Sequence, residues 1–261
     1  LVSAANRWLS GTLFWPTWLR ASGMAVGRNS EISTIMEVIP ELVTIEGRCF
    51  FADGIYLGGA QIHRGHYVLE PLSLSQNTFL GNHAIIPAGT HLPPEILLGI
   101  CTVADDAHIK EGTSWFGHPM FELPRRQVIE VDSSMTHDPE WYRVISRLFW
   151  ESARFIIPAL PTFLVLIWMK TLISVQSMVS PAMFYTVVLL FYTLSLASVM
   201  CVVVLTLKWL LLGRTRAGHH PLWSCWCSRW DFLYVVWGAW ARPVMRSVEG
   251  TLFINAWLRL F

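Results

Sequence analysis

The run Gln61-Ile62-His63-Arg64-Gly65-His66 gathers the side chains best suited to proton transfer and anion binding. An imidazole titrates near neutral pH, so His63 suits the removal of a proton from an attacking amine. Arg64 offers a planar fork of donors to a phosphate or carboxylate, and His66 completes the cluster. A second cluster is Phe51-Ala52-Asp53-Gly54. Asp53 before a glycine is a turn former by default, and it is also placed to orient a histidine of a neighbouring coil. In a third, Gly81-Asn82-His83-Ala84, Asn82 and His83 mark a corner that could line a groove. The glycine-bounded run Gly112 to Pro119 reads as a capping or docking loop, with Ser114 and Trp115 positioned to touch a substrate. Ser114 lacks a nucleophile-elbow pattern. The catalytic candidates are therefore His63, Asp53 and His83, and the binding candidates Arg64, His66, Asn82, Ser114 and Trp115. No metal site is expected, because Cys225-Trp226-Cys227 is poor zinc spacing beside His219 and His220.

These residues need a scaffold. Short aliphatic groups followed by glycine recur through the first half: Val26-Gly27, Leu57-Gly58, Leu80-Gly81 and Leu98-Gly99. That is a hexapeptide signature, and it predicts a left-handed parallel β-helix whose aliphatic side chains fill the core while glycine permits the corners. A sandwich of short strands is the alternative. Glu31 to Pro40 and His63 to Pro71 fit the pattern badly, and the second reads as a loop extruded from a corner.

The second half is different. From Thr171 to Leu207 there is no Asp, Glu, Lys, Arg or His, a run of 37 residues. About 20 apolar residues span a bilayer core. One span is expected from about Leu148 to Ser174, with Pro158 and Pro161 near its start, and a second from Ala182 to Leu207. Arg143, Arg147 and Arg154 precede them and Lys208, Arg214 and Arg216 follow, which puts both flanks and the β domain in the cytoplasm. The chain then reads as a multi-pass integral membrane protein. Pro221 to Val244, rich in tryptophan and interrupted by Arg229, Asp231 and Arg242, reads as an interfacial helix. A net charge of +1 argues against nucleic acid as partner. Five scattered cysteines suit a reducing compartment. The expected divisions are a β-helix acyltransferase-like domain over 1–136, a linker helix and two membrane helices over 137–212, and a Trp-rich segment over 213–261. The fold class expected is mainly β plus transmembrane α.

Gly11-Thr12-Leu13-Phe14 and Trp18-Leu19-Arg20 return as Gly250-Thr251-Leu252-Phe253 and Trp257-Leu258-Arg259, an offset of 239 residues between 11 and 250. The chain reads as one unit of a tandem array and the opening of the next.

Several motifs add to this. They include Ile62-His63-Arg64-Gly65, Thr78-Phe79-Leu80-Gly81-Asn82, Pro87-Ala88-Gly89-Thr90, Gly112-Thr113-Ser114-Trp115-Phe116-Gly117 and Glu122-Leu123-Pro124-Arg125-Arg126. In this order they resemble the C-terminal region of nonribosomal peptide synthetases of the ε-poly-L-lysine synthetase type. The resemblance implies adenylation and thiolation (carrier) domains in the same parent chain, and three tandem domains interleaved with membrane helices. Those domains join amines to aminoacyl thioesters. It also implies a 4′-phosphopantetheine arm presented by the carrier, with no cofactor bound directly. Neighbouring repeats would form a pseudo-trimer resting on the lipid bilayer. His66 and His83 depart from the residues expected there. Two other classes remain: a non-catalytic membrane-anchored scaffold that docks the carrier, and a coenzyme A-dependent acyltransferase.

Overall fold

The structure is a computed structural model, and it describes residues 2–124, 132–157 and 159–261. Arg125 and Arg126 of the Leu-Pro-Arg-Arg motif lie outside the described residues, as does Pro158. The chain divides into two compact units, Leu1–Ser133 and Ser134–Phe261.

In the first unit, strands of two to four residues build three mostly parallel sheets. One holds β1 (Ala25–Val26), β4 (Val43–Ile45), β9 (Leu72–Leu74) and β12 (His91–Leu92). A six-stranded sheet holds β2 (Glu31–Ile32), β5 (Phe50–Phe51), β10 (Phe79–Leu80), β13 (Leu97–Leu98), β14 (Ser114–Phe116) and β15 (Phe121–Glu122). A three-stranded sheet holds β3 (Ile35–Val38), β6 (Ile55–Leu57) and β11 (Ile85–Ile86). The chain visits the sheets in turn, so like turns stack into columns. The register lines up Ile32, Phe51, Leu80 and Leu98 in one row, and Ile45, Leu74 and Leu92 in another. All are buried in one cluster. Burying each such side chain contributes about 1.5–3 kcal/mol.

The expected fold class is corrected here. The chain is not a mainly-β left-handed parallel β-helix; it is a mixed α/β arrangement of several separate sheets with helices. Among the described residues no sheet closes on itself, and β14 pairs with β15 antiparallel. Two N-terminal helices, α1 (Val2–Leu9) and α2 (Phe14–Ala21), belong to the same core. Trp15 and Leu19 of α2 are fully buried, and the Trp15 indole donates to the Ser33 carbonyl at 3.0 Å. Asn6 of α1 clamps the backbone of Ile35, donating to its carbonyl at 3.1 Å and accepting from its N–H at 3.3 Å. Glu31 to Pro40, which fits the glycine pattern badly, nevertheless supplies the whole of β2 and β3, with a register shift between Ile35 and Glu37. The role of glycine is also corrected in part. At Gly27 an added Cβ would lie 2.4 Å from backbone atoms of Glu46 and Gly47, and at Gly81 it would lie 2.7 Å from the Gly99 backbone. These glycines serve close approach between neighbouring turns. Gly58, at φ 59°, does serve a left-handed turn.

The second unit is helical: α3 (Trp141–Ile156), α4 (Ala159–Gln176), α5 (Pro181–Met183), a π-helical turn (Phe184–Val188), α6 (Leu189–Leu211), α7 (Cys225–Ser247) and α8 (Leu252–Leu260). Ser180 and Ser224 cap α5 and α7 by accepting the N–H groups of Met183 and Cys227. Two stretches, Trp141–Gln176 and Pro181–Leu211, are long and apolar enough to cross a membrane, with mean hydropathies of 1.9 and 2.5. Only 6% and 17% of their most apolar windows are buried by protein, which sets them apart from the core helices of a soluble protein. Their hydroxyls turn inward: Thr171, Thr193 and Ser198 donate to the carbonyls four residues back, at 2.7–2.8 Å. A helix that crosses a bilayer would need that satisfaction. The tryptophan-rich α7 packs through Phe232, Val236, Trp240 and Ala241 against Met200 and Val204 of α6.

The sequence repeat is also a local structural one. Gly11 and Gly250 both take positive φ, 68° and 81°. Thr12 and Thr251 each donate their hydroxyl to the carbonyl three residues back, and a helix follows within two residues.

Candidate functional site

The stacked turns carry the polar residues, and they do so on two separate edges of the first unit. The first edge connects the six-stranded sheet to the three-stranded one. There the turns holding Ser33 and Thr34, Asp53 and Gly54, and Asn82 and His83 lie on successive levels. The Asp53 carboxylate accepts hydrogen bonds from the hydroxyls of Ser33 and Thr34, the second at 3.2 Å. Its N–H donates to Asn82 Oδ1 at 3.0 Å, and its carbonyl accepts the His83 N–H at 2.9 Å. The His83 ring lies over Gly54, where an added Cβ would meet Nδ1 at 2.4 Å. His83 is exposed and left-handed, at φ 57°. Cys101 sits one level on, exposed, with its N–H on the Asn82 carbonyl at 2.9 Å. Three of the expected residues, Asp53, Asn82 and His83, therefore do meet.

The second edge connects the three-stranded sheet to the four-stranded one. The segment expected as an extruded loop leaves here as a β-hairpin, β7 (Gln61–His63) paired antiparallel with β8 (His66–Val68). Arg64 and Gly65 form its tip with φ of 47° and 78°, the signs of a tight hairpin turn. His63 faces His66 across the pair, and every residue from Gln61 to Glu70 is exposed. His66 Nδ1 lies 3.1 Å from the Arg64 carbonyl. His63, Arg64 and His66 thus stand together, but on a different edge from Asp53 and His83.

Ser114 and Trp115 are buried in β14, and Trp115 also lines the pocket around Asp105 and His108. The Trp115 indole donates to Thr113 Oγ1 at 2.8 Å, and the Ser114 hydroxyl has no hydrogen-bond partner among the described residues. Burial pushes the Cys49 thiol up to about 11, so at neutral pH it stays protonated and is no nucleophile. Among the described residues, no group of three or more His, Cys, Asp or Glu side chains is placed to hold a metal ion.

The sequence reading passed over one site. Past Val103, which bridges to Ile85 of β11, the turn Asp105 to His108 leaves the second edge. Asp105 Oδ1 accepts the Ala107 N–H at 3.2 Å, and Oδ2 accepts His108 Nδ1–H at 2.9 Å. The pair opens on a pocket of about 350 Å³ lined also by Trp115, His118, Pro119 and Met120. The only sequence signal was Asp-x-x-His spacing within a turn.

The architecture defines a class of chain: a polar α/β unit bearing histidines on two edges, joined to a helical unit with two stretches able to cross a membrane. No protein-family model matches it. The chain is similar to the delta-poly-L-ornithine synthetase of Acinetobacter baumannii (strain AB307-0294), at 32% identity over 223 residues. The match covers 83% of this chain and 16% of that protein, so the chain spans a small part of its relative's length. This likeness agrees with the resemblance read from the motifs at the level of a poly-amino-acid synthetase type.

Proposed function

We propose that this chain is the peptide-bond-forming, membrane-anchored part of a poly-amino-acid synthetase, in which an amine attacks an aminoacyl thioester presented on a carrier. The observation that carries this reading is the 32% identity over 223 residues to a protein named for amino-acid polymer synthesis. The hairpin edge supports it. Arg64 at an exposed tip fits the phosphate of a 4′-phosphopantetheine arm, and the exposed rings of His63 and His66 flank it. In this reading His63 takes a proton from the reacting amine, while Asp53, Asn82 and His83 shape the other edge, where a neighbouring domain or the acyl chain docks. The carrier and adenylation domains belong to the same parent chain, and the α/β unit faces the cytoplasm.

His63→Ala in the full-length protein is expected to leave carrier loading intact. Product formation is expected to fall by roughly 100-fold, the scale of a lost general base. Loading is read as radiolabel on the carrier thioester, and product by mass spectrometry. Unchanged product would remove His63 from the mechanism.

A further inference from the structure

The pocket around Asp105 and His108 uses none of the residues given a role in the proposed function, and its chemistry is specific. Asp105 holds the imidazole of His108 by Nδ1, so in the neutral ring Nε2 is left as an acceptor. The same carboxylate is held in place by the Ala107 N–H. The lining residues include one carboxylate, two imidazoles and Trp115, and no lysine or arginine. Next to it, Asp106 is fixed by accepting the His91 N–H at 3.0 Å. Such a pocket favours a cation over an anion. An aromatic wall and a carboxylate suit an ammonium group. His108 and Asp105 are 68% and 54% exposed, so a small ligand reaches them directly. They leave the same sheet-to-sheet edge as the hairpin that carries His63.

We infer that this pocket binds the acceptor amine of the reaction as its ammonium ion and delivers it as the free base. The inference rests on the peptide-bond-forming reading. An acceptor ammonium loses two protons on its way to an amide. The first passes from nitrogen to His108 Nε2 and then to water, which uncovers the lone pair. The amine nitrogen then attacks the thioester carbonyl carbon, forming the C–N bond as the C–S bond breaks. The second proton passes through His63 to the departing thiolate, which leaves as the thiol. His108 touches the substrate and is the catalytic residue here; Asp105 is a positioning residue.

The test uses the full-length protein with its carrier loaded and compares two nucleophiles. One is 1,5-diaminopentane, protonated at neutral pH. The other is hydroxylamine, already a free base there, with its uncatalysed reaction subtracted. His108→Ala is expected to lower amide formation from the diamine roughly 100-fold, the scale of a lost proton acceptor. Hydroxamate formation from hydroxylamine should change little. Asp105→Asn should show the same split in weaker form. An equal fall with both nucleophiles would mark a purely structural role and overturn the inference, as would an unchanged rate with the diamine. A wild-type protein that loads its carrier yet forms neither amide nor hydroxamate would instead remove the functional reading, and the inference with it.

Discussion

Replacing Arg147 with alanine is expected to destabilise the helical unit by about 3–5 kcal/mol, among the larger effects available to a single substitution. Arg147 and Glu151 lie one turn apart on α3, and their side chains are only 7% and 6% exposed. Arg147 Nε donates to Glu151 Oε1 at 2.7 Å, and its guanidinium lies over the Trp223 ring at 4.7 Å. Truncation takes the Arg147 guanidinium away from Glu151 while leaving the carboxylate out of water. Burial of a charge is tolerated through its partners, and taking one away is costly. The double variant Arg147→Met, Glu151→Leu removes both charges and keeps the volume, so it should lie within about 1–2 kcal/mol of wild type. Thermal unfolding of wild type, single and double variants in one detergent checks this. A single variant as stable as wild type would show that the pair contributes nothing.

Gly27→Ala is the second large effect. The new methyl carbon would sit 2.4 Å from Glu46 C and Gly47 N, and both are backbone atoms. Side chains can swing aside, but stacked turns cannot. The Gly27 N–H also donates to the Ile45 carbonyl at 2.7 Å, which holds the two levels together. Overpacking a fixed backbone costs about 1–3 kcal/mol and at times more, and the upper end is expected here. The melting midpoint of the α/β unit should drop by several degrees. A midpoint equal to wild type would mean that the levels are not stacked this closely.

Legibility in the sequence followed the physics of each element. The apolar helices were plain, because a charge-free run of this length has few other uses. The aliphatic-glycine pairs located β1, β6, β10 and β13, since a buried row and a close backbone approach both leave marks on composition. The helices α1 and α2 left little trace. At eight residues each, with Pro16 and two tryptophans in α2, they show barely two turns of periodicity. That is why an all-strand reading failed for this half. β2 and β3 were hidden for a related reason: their turns are held by Ser33, Thr34 and Asn6 in place of glycine. For the site, nearness in sequence misled. Asp53 and His63 are ten positions apart, yet β6 runs between them, so they leave by different edges. The pair Asp105 and His108 went unread because a turn and a proton acceptor look alike until a pocket is seen beside them.

Bond formation from the carrier-bound thioester is proposed to take place on this chain. Single turnover tests it most directly. The carrier of the full-length protein is loaded once with radiolabelled amino acid, excess label and nucleotide are removed, and an unlabelled acceptor amine is added. Label is expected to pass from thioester to amide, and His63→Ala to block this passage with the thioester intact. Label that leaves only as free amino acid, at the same rate with or without the acceptor, would contradict it.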